Sequence, residues 1–224
     1  MITLQNVTKY FRTNHGRKYI LKDVSITLPD ANVGILGRNG AGKSTLMRML
    51  GQIEFPTSGT ITSPNSFSWP LGLGGGFVGN MTGKANVKFV SRLYSRSDEE
   101  IEKIVAYVRE FSELGEYFEM PIKTYSSGMK GRLSFGLSLA FDFDYMLIDE
   151  TLSVGDSRFK IKAKEALRKK IESCHVLLVS HDMKTLREIC QTGLLVHEGQ
   201  LHYYEDINEA IARYSEINQT KGKS

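Results

Sequence analysis

The stretch Gly37-Arg38-Asn39-Gly40-Ala41-Gly42-Lys43-Ser44 decides the fold of this chain. It matches the pattern G-x-x-x-x-G-K-[ST], in which glycines let the backbone curl so that successive N–H groups point inward at an anion. Upstream, Val33-Gly34-Ile35-Leu36 is a short apolar run that is typical of a buried strand. Downstream, apolar residues between Ser44 and Leu50 favour a helix whose N-terminus adds partial positive charge. This order of strand, glycine loop and helix predicts a phosphate-binding loop.

Two side chains at the end of the loop indicate which anion it binds. We expect Lys43 to reach the β- and γ-phosphates of a nucleotide and the Ser44 hydroxyl to ligate Mg²⁺. The alternative is a chance glycine turn before a helix, and the Lys-Ser pair together with the correct flanks argues against it. A nucleoside triphosphate with Mg²⁺ is therefore the expected ligand.

Two further predicted strands end in polar residues. Tyr145-Met146-Leu147-Ile148 is followed by Asp149-Glu150, where Asp149 is expected to hold Mg²⁺ and Glu150 to orient and polarise a water against the γ-phosphate. The alternative is an acidic pair exposed at the end of a strand. His181 follows the apolar run 176–179, on the side where α/β sheets bind ligands, although a lone histidine is more often structural.

Two other segments are weaker candidates. Phe11 places an aromatic ring on a predicted loop near the phosphate site, where it either stacks on adenine or is an ordinary core residue. Tyr125-Ser126-Ser127-Gly128-Met129 precedes an amphipathic helical stretch, Lys130 to Phe141, and a Ser-Ser-Gly turn there either donates to an anion or only caps the helix.

Composition limits the class of protein. The chain has 224 residues, 41% of them hydrophobic and 24% charged, with a net charge of +4 that is too weak to argue for a nucleic-acid partner. Cys174 and Cys190 form no metal or redox spacing, so two inert thiols in a reducing compartment are expected. No secretory signal and no apolar run of about 20 residues is visible, so a partner must span any membrane involved.

The remaining pattern predicts strands at Ile2 to Val7 and Ile20 to Leu28 before the loop, and a helical insertion after it. A capping box at Ser97-Asp98-Glu99-Glu100 opens one of the inserted helices. We therefore expect an α/β fold: a P-loop NTPase core of mixed sheet flanked by helices, with an antiparallel β subdomain and a helical subdomain.

Two segments leave alternatives open. The glycine-rich stretch Gly72 to Gly76, beside the chain's single Trp at position 69, is either a surface loop or a hinge that couples the nucleotide site to a partner. The basic helix predicted over Ser157 to Ser173 either has a solvated charged face or contacts anionic lipid or nucleic acid. We expect the solvated face.

The order of these motifs resembles that of an ABC-type nucleotide-binding subunit over almost the whole chain. The resemblance implies that Phe11 stacks on adenine, that Asp149 is the metal acid and Glu150 the catalytic carboxylate, and that His181 senses the γ-phosphate. It also implies that Ser126, Ser127 and Gly128 act as a signature motif on the nucleotide of a second subunit. The nucleotide contacts it implies in the loop are Arg38, Asn39, Gly40, Ala41, Gly42, Lys43, Ser44 and Thr45.

A narrower resemblance is to the ATPases of capsular-polysaccharide exporters, and it rests on four stretches: Ser68-Trp69-Pro70-Leu71-Gly72, Gly75-Gly76-Phe77, Met81-Thr82-Gly83 and Tyr125-Ser126-Ser127-Gly128-Met129. It implies an ATPase peripheral to the cytoplasmic face of the inner membrane. Such a subunit forms a homodimer and drives a polytopic permease that exports an acidic, lipid-linked capsular polysaccharide. The related O-antigen and teichoic-acid export ATPases often carry an extra C-terminal domain, and this chain stops soon after its last predicted helix, which favours the capsule type. Export of one of those glycans remains the alternative, and a non-transport ATPase acting on nucleic acid is a remote one.

The chain also departs from the family pattern. Ser127 stands where the signature usually has Gly, and Met129 where it has Gln. No Gln occurs between Gln52 and Gln191, and Gly72 to Gly76 occupies the place of the usual coupling glutamine. The expected layout is a single ABC-type ATPase domain, with core lobe and β subdomain at 1–68 and 142–204, coupling loop and helical subdomain at about 69–141, and C-terminal helix and tail at 205–224.

Overall fold

A computed structural model describes residues 1–14, 16–70, 77–94, 96–149 and 156–220 of the chain. Its strands are β1 (Ile2–Thr13), β2 (Gly16–Leu28), β3 (Val33–Leu36), β4 (Ser58–Thr62), β5 (Tyr145–Asp149), β6 (His175–Val179), β7 (Thr192–His197) and β8 (Gln200–Tyr204). Its α-helices are α1 (Lys43–Leu50), α2 (Gly83–Leu93), α3 (Asp98–Ser112), α4 (Ser127–Leu139), α5 (Ser157–Lys170), α6 (Met183–Ile189) and α7 (Ile207–Thr220).

The strands form two sheets. An antiparallel sheet has the order β2-β1-β4, and a second sheet has the order β5-β6-β3-β7-β8, in which β8 alone runs antiparallel to its neighbour. The turn between β7 and β8 contains Glu198 and Gly199, both with positive φ (47° and 79°), as a two-residue hairpin turn requires. The predicted mixed sheet and separate antiparallel sheet are confirmed.

One compact unit comprises Met1–Pro70, Phe143–Glu150 and Cys174–Ser224, and it contains both sheets. Its core is shared between them, because α1 is apolar on its buried side and packs among strands of each sheet. The core residues on α1 are Leu46, Met47, Met49 and Leu50. This packing fixes the position of the phosphate-binding loop relative to β1 and β2.

The other compact unit comprises Leu71–Asp142 and Thr151–Ser173. Phe111 of α3 lies at its centre, with ring centroids 5.9 Å from Phe135 of α4 and 5.6 Å from Phe159 of α5. Gly136 allows this approach, since a Cβ there would lie 3.0 Å from Phe111 Cδ1. The sequence pattern predicts that 142–204 belongs to the core lobe, whereas α5 packs on α3 in the other unit, since its buried face carries Phe159.

Two expectations for the helices need correction. The stretch after Gly128 was expected to be amphipathic, but α4 is buried on every side from Leu133 to Leu139, because it lies between α3 and other parts of its unit. On the basic helix α5, the apolar residues between the basic ones are expected to bury one face. Phe159, Ala163 and Leu167 are buried, but Ile161 is 63% exposed. The basic residues of α5 that lie on the exposed surface are Arg158, Lys160, Lys164, Arg168 and Lys169.

The glycine-rich stretch Gly72 to Gly76 lies outside the described residues, so the choice between loop and hinge stays a prediction. Its flanks are held by hydrogen bonds. Ser68 donates its backbone N–H to the Tyr145 carbonyl at 2.9 Å on one side, and the buried Asn86 amide binds both the N–H and the carbonyl of Val78 on the other (2.8 and 3.2 Å). Within the described ranges, no helix has the length and apolar character that crossing a membrane requires.

Candidate active site

The larger sheet brings three of the predicted functional segments to one edge. Strands β5, β6 and β3 are parallel neighbours, and the register pairs Asp149 with Val179, and Val179 with Ile35. The carboxyl ends of these strands therefore meet, so the phosphate-binding loop after β3, Asp149 at the end of β5 and His181 just after β6 lie together. This is the edge at which open α/β sheets bind ligands.

The glycines of the loop are required by its geometry. Gly37, Gly40 and Gly42 have φ values of 154°, 79° and 109°, a region that favours glycine. A Cβ on Gly42 would lie 2.3 Å from Ile20 Cγ2, and one on Gly37 would lie 2.7 Å from the Val196 carbonyl oxygen. The loop is therefore a closely packed turn with its backbone curled as the sequence predicts.

The N-terminus of α1 follows Gly42 and has no side-chain cap. Lys43 folds back over the loop, and its Nζ donates to the carbonyls of Gly37 at 2.7 Å and Arg38 at 3.1 Å. The Ala41 N–H also donates to the Arg38 carbonyl, at 3.0 Å. A positive side chain and the positive end of a helix thus converge on one loop, an arrangement that attracts a polyanion.

A cavity of about 370 Å³ opens beside this loop. It is lined by Phe11, Lys18, Ile20, Asn39, Gly40, Gly42, Lys43, Ser44, Thr45, Asp149, Val179 and His181. Most of the predicted residues of the first unit are therefore brought together in one place. Arg38 and Ala41 belong to the loop but are not among the lining residues. Lys18, Ile20 and Val179 were missed by the sequence analysis.

Phe11 lies within β1 rather than on the expected loop, because β1 continues to Thr13. It pairs directly with Lys18 of β2 in the antiparallel register, so the two side chains stand on the same face of the sheet. Phe11 is 40% exposed and lines the cavity, which rules out the alternative of an ordinary core aromatic. The same pairing explains why Lys18 lines the cavity beside Phe11, and the register of the hairpin is the signal that could have indicated this position.

Thr45 is buried, and its Oγ1 accepts a hydrogen bond from Arg48 Nη2 at 3.2 Å. Arg48 in turn binds Glu54, with Nε 3.0 Å from Oε2. The first turn of α1 is thereby tied to the segment that follows the helix. Nothing in the local sequence pattern indicates this link.

The proposed signature residues lie in the second unit, at the start of α4. Ser126 is the N-cap of that helix, and its Oγ accepts from the Met129 N–H at 3.2 Å. Ser126 and Ser127 are exposed, and a Cβ on Gly128 would meet only Ser126 Oγ, at 3.9 Å. None of the three is among the residues that line the cavity. Glu150, the predicted catalytic carboxylate, lies outside the described residues.

The residues present fit ATP and Mg²⁺. The curled backbone of the loop, with positive φ at Gly37, Gly40 and Gly42, suits the close approach of phosphate oxygens to its N–H groups. Ser44 and Asp149 bring a hydroxyl and a carboxylate to the same cavity, and oxygen donors are what Mg²⁺ prefers. No cluster of three or more His, Cys, Asp or Glu residues is found in the part of the chain that the structure describes.

Comparison with known proteins agrees with this geometry. The sequence profile described as "ABC transporter" matches residues 21–153. The polysialic acid transport ATP-binding protein KpsT of Escherichia coli is 51% identical over 96% of this chain and 98% of its own length. The capsule polysaccharide export ATP-binding protein CtrD of Neisseria meningitidis is 42% identical over 97% of this chain and all (100%) of its own.

A solved structure shares the fold. The ATP-binding cassette MJ0796, solved as a dimer in a post-hydrolysis state with ADP and Pi, superposes with a TM-score of 0.76 at 22% identity over 92% of this chain and 99% of that one. Sheet order, glycine loop and family profile lead to the same assignment. The chain belongs to the ABC transporter family, as an ATP-binding domain.

Proposed function

We propose that this chain is the ATP-hydrolysing subunit of an exporter that moves an acidic, lipid-linked capsular polysaccharide across the inner membrane. The observation that carries the proposal is identity over full length with a protein named for polysialic acid transport, at 51% over 96% of this chain. The cavity with Lys43, Asp149 and His181 on its lining supports ATP as the substrate.

The predicted site residues have the following roles in this proposal. Phe11 stacks on the adenine base, and the residues Arg38 to Thr45 hold the phosphates, with Lys43 at the β- and γ-phosphates. Ser44 and Asp149 hold Mg²⁺, which when bound neutralises charge on the phosphates. His181 contacts the γ-phosphate end of the cavity.

Glu150 provides the general base. It follows Asp149 directly in the sequence, and Asp149 ends β5. Its carboxylate orients a water and accepts its proton as the water attacks the γ-phosphorus, while the bond to the β-phosphate oxygen breaks. The products are ADP and inorganic phosphate.

A second copy of the chain completes each site. Ser126 and Ser127 are exposed at the start of α4, so they are accessible to a nucleotide held by another molecule, with Gly128 beside them. The membrane is spanned by a polytopic permease, against which this subunit lies on the cytoplasmic face. We place the docking of that partner at residues 69–120, with the stretch Gly72 to Gly76 as the coupling hinge.

Export of another lipid-linked glycan is the second candidate. The O-antigen export system ATP-binding protein RfbB of Klebsiella pneumoniae is 35% identical over 92% of this chain, a lower identity than the capsule relatives have. Action on nucleic acid has no support beyond a mild net charge of +4.

Two variants test the site assignment. Glu150→Gln keeps the shape of the side chain and removes its charge, so ATP affinity should persist while turnover falls by at least about a hundredfold. Lys43→Ala should instead lose ATP affinity. Binding is measured by calorimetry and turnover by phosphate release. Wild-type turnover by Glu150→Gln at equal protein concentration overturns the assignment.

Deleting the gene in its own cell tests the exported polymer. Surface capsule should disappear while polysaccharide accumulates inside, and lipopolysaccharide O-chains should stay unchanged. The wild-type gene should restore the capsule, and the Glu150→Gln gene should not. Loss of O-chains with intact capsule would favour the second candidate.

A further inference from the structure

Lys9 is a buried cation next to the aromatic ring proposed to stack on the base. It stands two residues before Phe11 on β1, so both side chains leave the same face of the strand. Lys9 is only 9% exposed, and its Nζ lies 5.2 Å from the centroid of the Phe11 ring. A cation at this distance over a ring makes a favourable electrostatic contact with the π-system.

The ammonium group is held by partners from a distant part of the chain. Lys9 Nζ lies 2.7 Å from Glu54 Oε1 and donates to the Phe55 carbonyl at 2.8 Å. Burial alone would raise the pKa of Glu54, but its hydrogen bonds with Lys9 and Arg48 lower that pKa overall. Glu54 is therefore ionised at neutral pH and compensates the buried cation, which would otherwise be costly.

The same contacts continue to the phosphate side of the cavity. Glu54 also binds Arg48 Nε at 3.0 Å, and Arg48 Nη2 donates to Thr45 Oγ1 at 3.2 Å. Phe11 at one end of this series and Thr45 at the other both line the cavity. Lys9 and Glu54 are not among the lining residues. Lys9 contacts the lining through the Phe11 ring, and Glu54 is connected to Thr45 through Arg48.

We propose that Lys9 is a positioning residue for the base of the nucleotide, acting through Phe11. Lys9 holds the Phe11 ring at the cavity wall and strengthens the contact of the ring with a stacked purine. Glu54 and Arg48 in turn connect Lys9 to α1. The inference rests on the proposed ATP site. It assigns to Lys9 an effect on the base that leaves the phosphates unaffected.

The test compares two ligands that share phosphates and differ in the base. Lys9→Met keeps the length of the stem and removes the charge. Calorimetry with Mg²⁺ should show affinity for ATP reduced about three- to tenfold, and affinity for inorganic tripolyphosphate unchanged. In a Phe11→Ala background, Lys9→Met should cause no further loss of ATP affinity, since the effect passes through the ring.

The matched control is Lys22→Met in the same hairpin. Lys22 is exposed, and its Nζ lies 5.9 Å from the ring centroid of Tyr19, which is not part of the cavity lining. The Lys22→Met variant should bind ATP and tripolyphosphate as tightly as the wild type does. Should Lys9→Met not fold, Lys9→Gln retains a donor for the Phe55 carbonyl and should show the same selective loss.

Equal losses of affinity for ATP and tripolyphosphate would overturn the proposal, because they would indicate that Lys9 only stabilises the local structure. So would an undiminished effect of Lys9→Met in the Phe11→Ala background. If the proposed ATP site itself is wrong, the result is different. The wild-type protein and the Lys9 variants would then all bind tripolyphosphate no more weakly than ATP.

Discussion

Two helices of this chain begin where the sequence predicts an anion-binding N-terminus, and they begin in different ways. Helix α1 follows Gly42, which has φ 109° and offers no side-chain cap. Helix α4 follows Ser126, whose hydroxyl accepts from the Met129 N–H at 3.2 Å. The first N-terminus has no side-chain cap, whereas the Met129 N–H of the second already has an acceptor within the chain.

The surroundings of these two helix N-termini also differ, since the first is closely packed and the second is open. Gly42 is packed against Ile20, so the shape of the first N-terminus is fixed by its own unit. Gly128, in the first turn of α4, has only Ser126 Oγ near the position of a Cβ, at 3.9 Å. A closely packed, preformed loop suits a ligand that is bound by the same chain. An exposed, capped turn suits a ligand that is held by a second copy of the chain. Three substitutions test this comparison, and a fourth tests the cap of helix α5.

Gly42→Ala should have the largest effect. The new Cβ meets Ile20 Cγ2 at 2.3 Å and stands at a positive φ, so ATP affinity should fall roughly a hundredfold or more. Gly40→Ala is the matched control, because its φ is also positive (79°) but nothing lies within 4 Å. Calorimetry should show a distinctly smaller loss for Gly40→Ala, and equal losses would mean that contact with Ile20 does not matter.

Gly128→Ala should separate stability from catalysis. Alanine favours the helix and has room in the isolated chain, so the melting temperature should stay level or rise slightly. If a nucleotide from a second copy approaches here, ATP hydrolysis should fall about tenfold through a lost hydrogen bond to a charged group. Full hydrolytic activity would contradict a role in trans.

Ser126→Ala removes the cap of α4. The loss of one N-cap should lower stability by about 1 kcal/mol, or about 3 °C in melting temperature. Ser127→Ala, one position into the helix, is the comparison for the same exposed turn. Thermal melts without nucleotide measure both, and equal destabilisation by the two variants would show that the hydrogen bond of the cap contributes nothing.

Asp156→Asn should have the smallest effect, on pH dependence. Asp156 caps α5, and the hydrogen bond from the Phe159 N–H, then the charge of Arg132, lower the pKa of its carboxyl. A lowered pKa gives stability that is complete above the unfolded-state pKa and is lost as pH falls through the folded-state pKa. Melting temperatures between neutral and acidic pH should fall less steeply in the variant, and equally steep curves would refute this assignment.

The sequence by itself determined the local parts of the site. Three features could be read because they depend on neighbours in the chain: the glycine loop, the strand before it and the acidic end of β5. Because β5, β6 and β3 run parallel, their carboxyl ends had to meet, and this also placed His181 correctly. The roles of Glu150 and of Gly72 to Gly76 remain predictions.

Only the tertiary structure decided which other residues reach the cavity. Lys9 pairs with Leu21 but Tyr10 pairs with Tyr19, so Ile20 is an extra residue in the hairpin, and it packs on Gly42. Such a register shift has no sequence signal when both strands alternate normally. Likewise, Lys9 and Glu54 are far apart in the chain and meet only because β1 and α1 share one core, where a buried charge requires a partner.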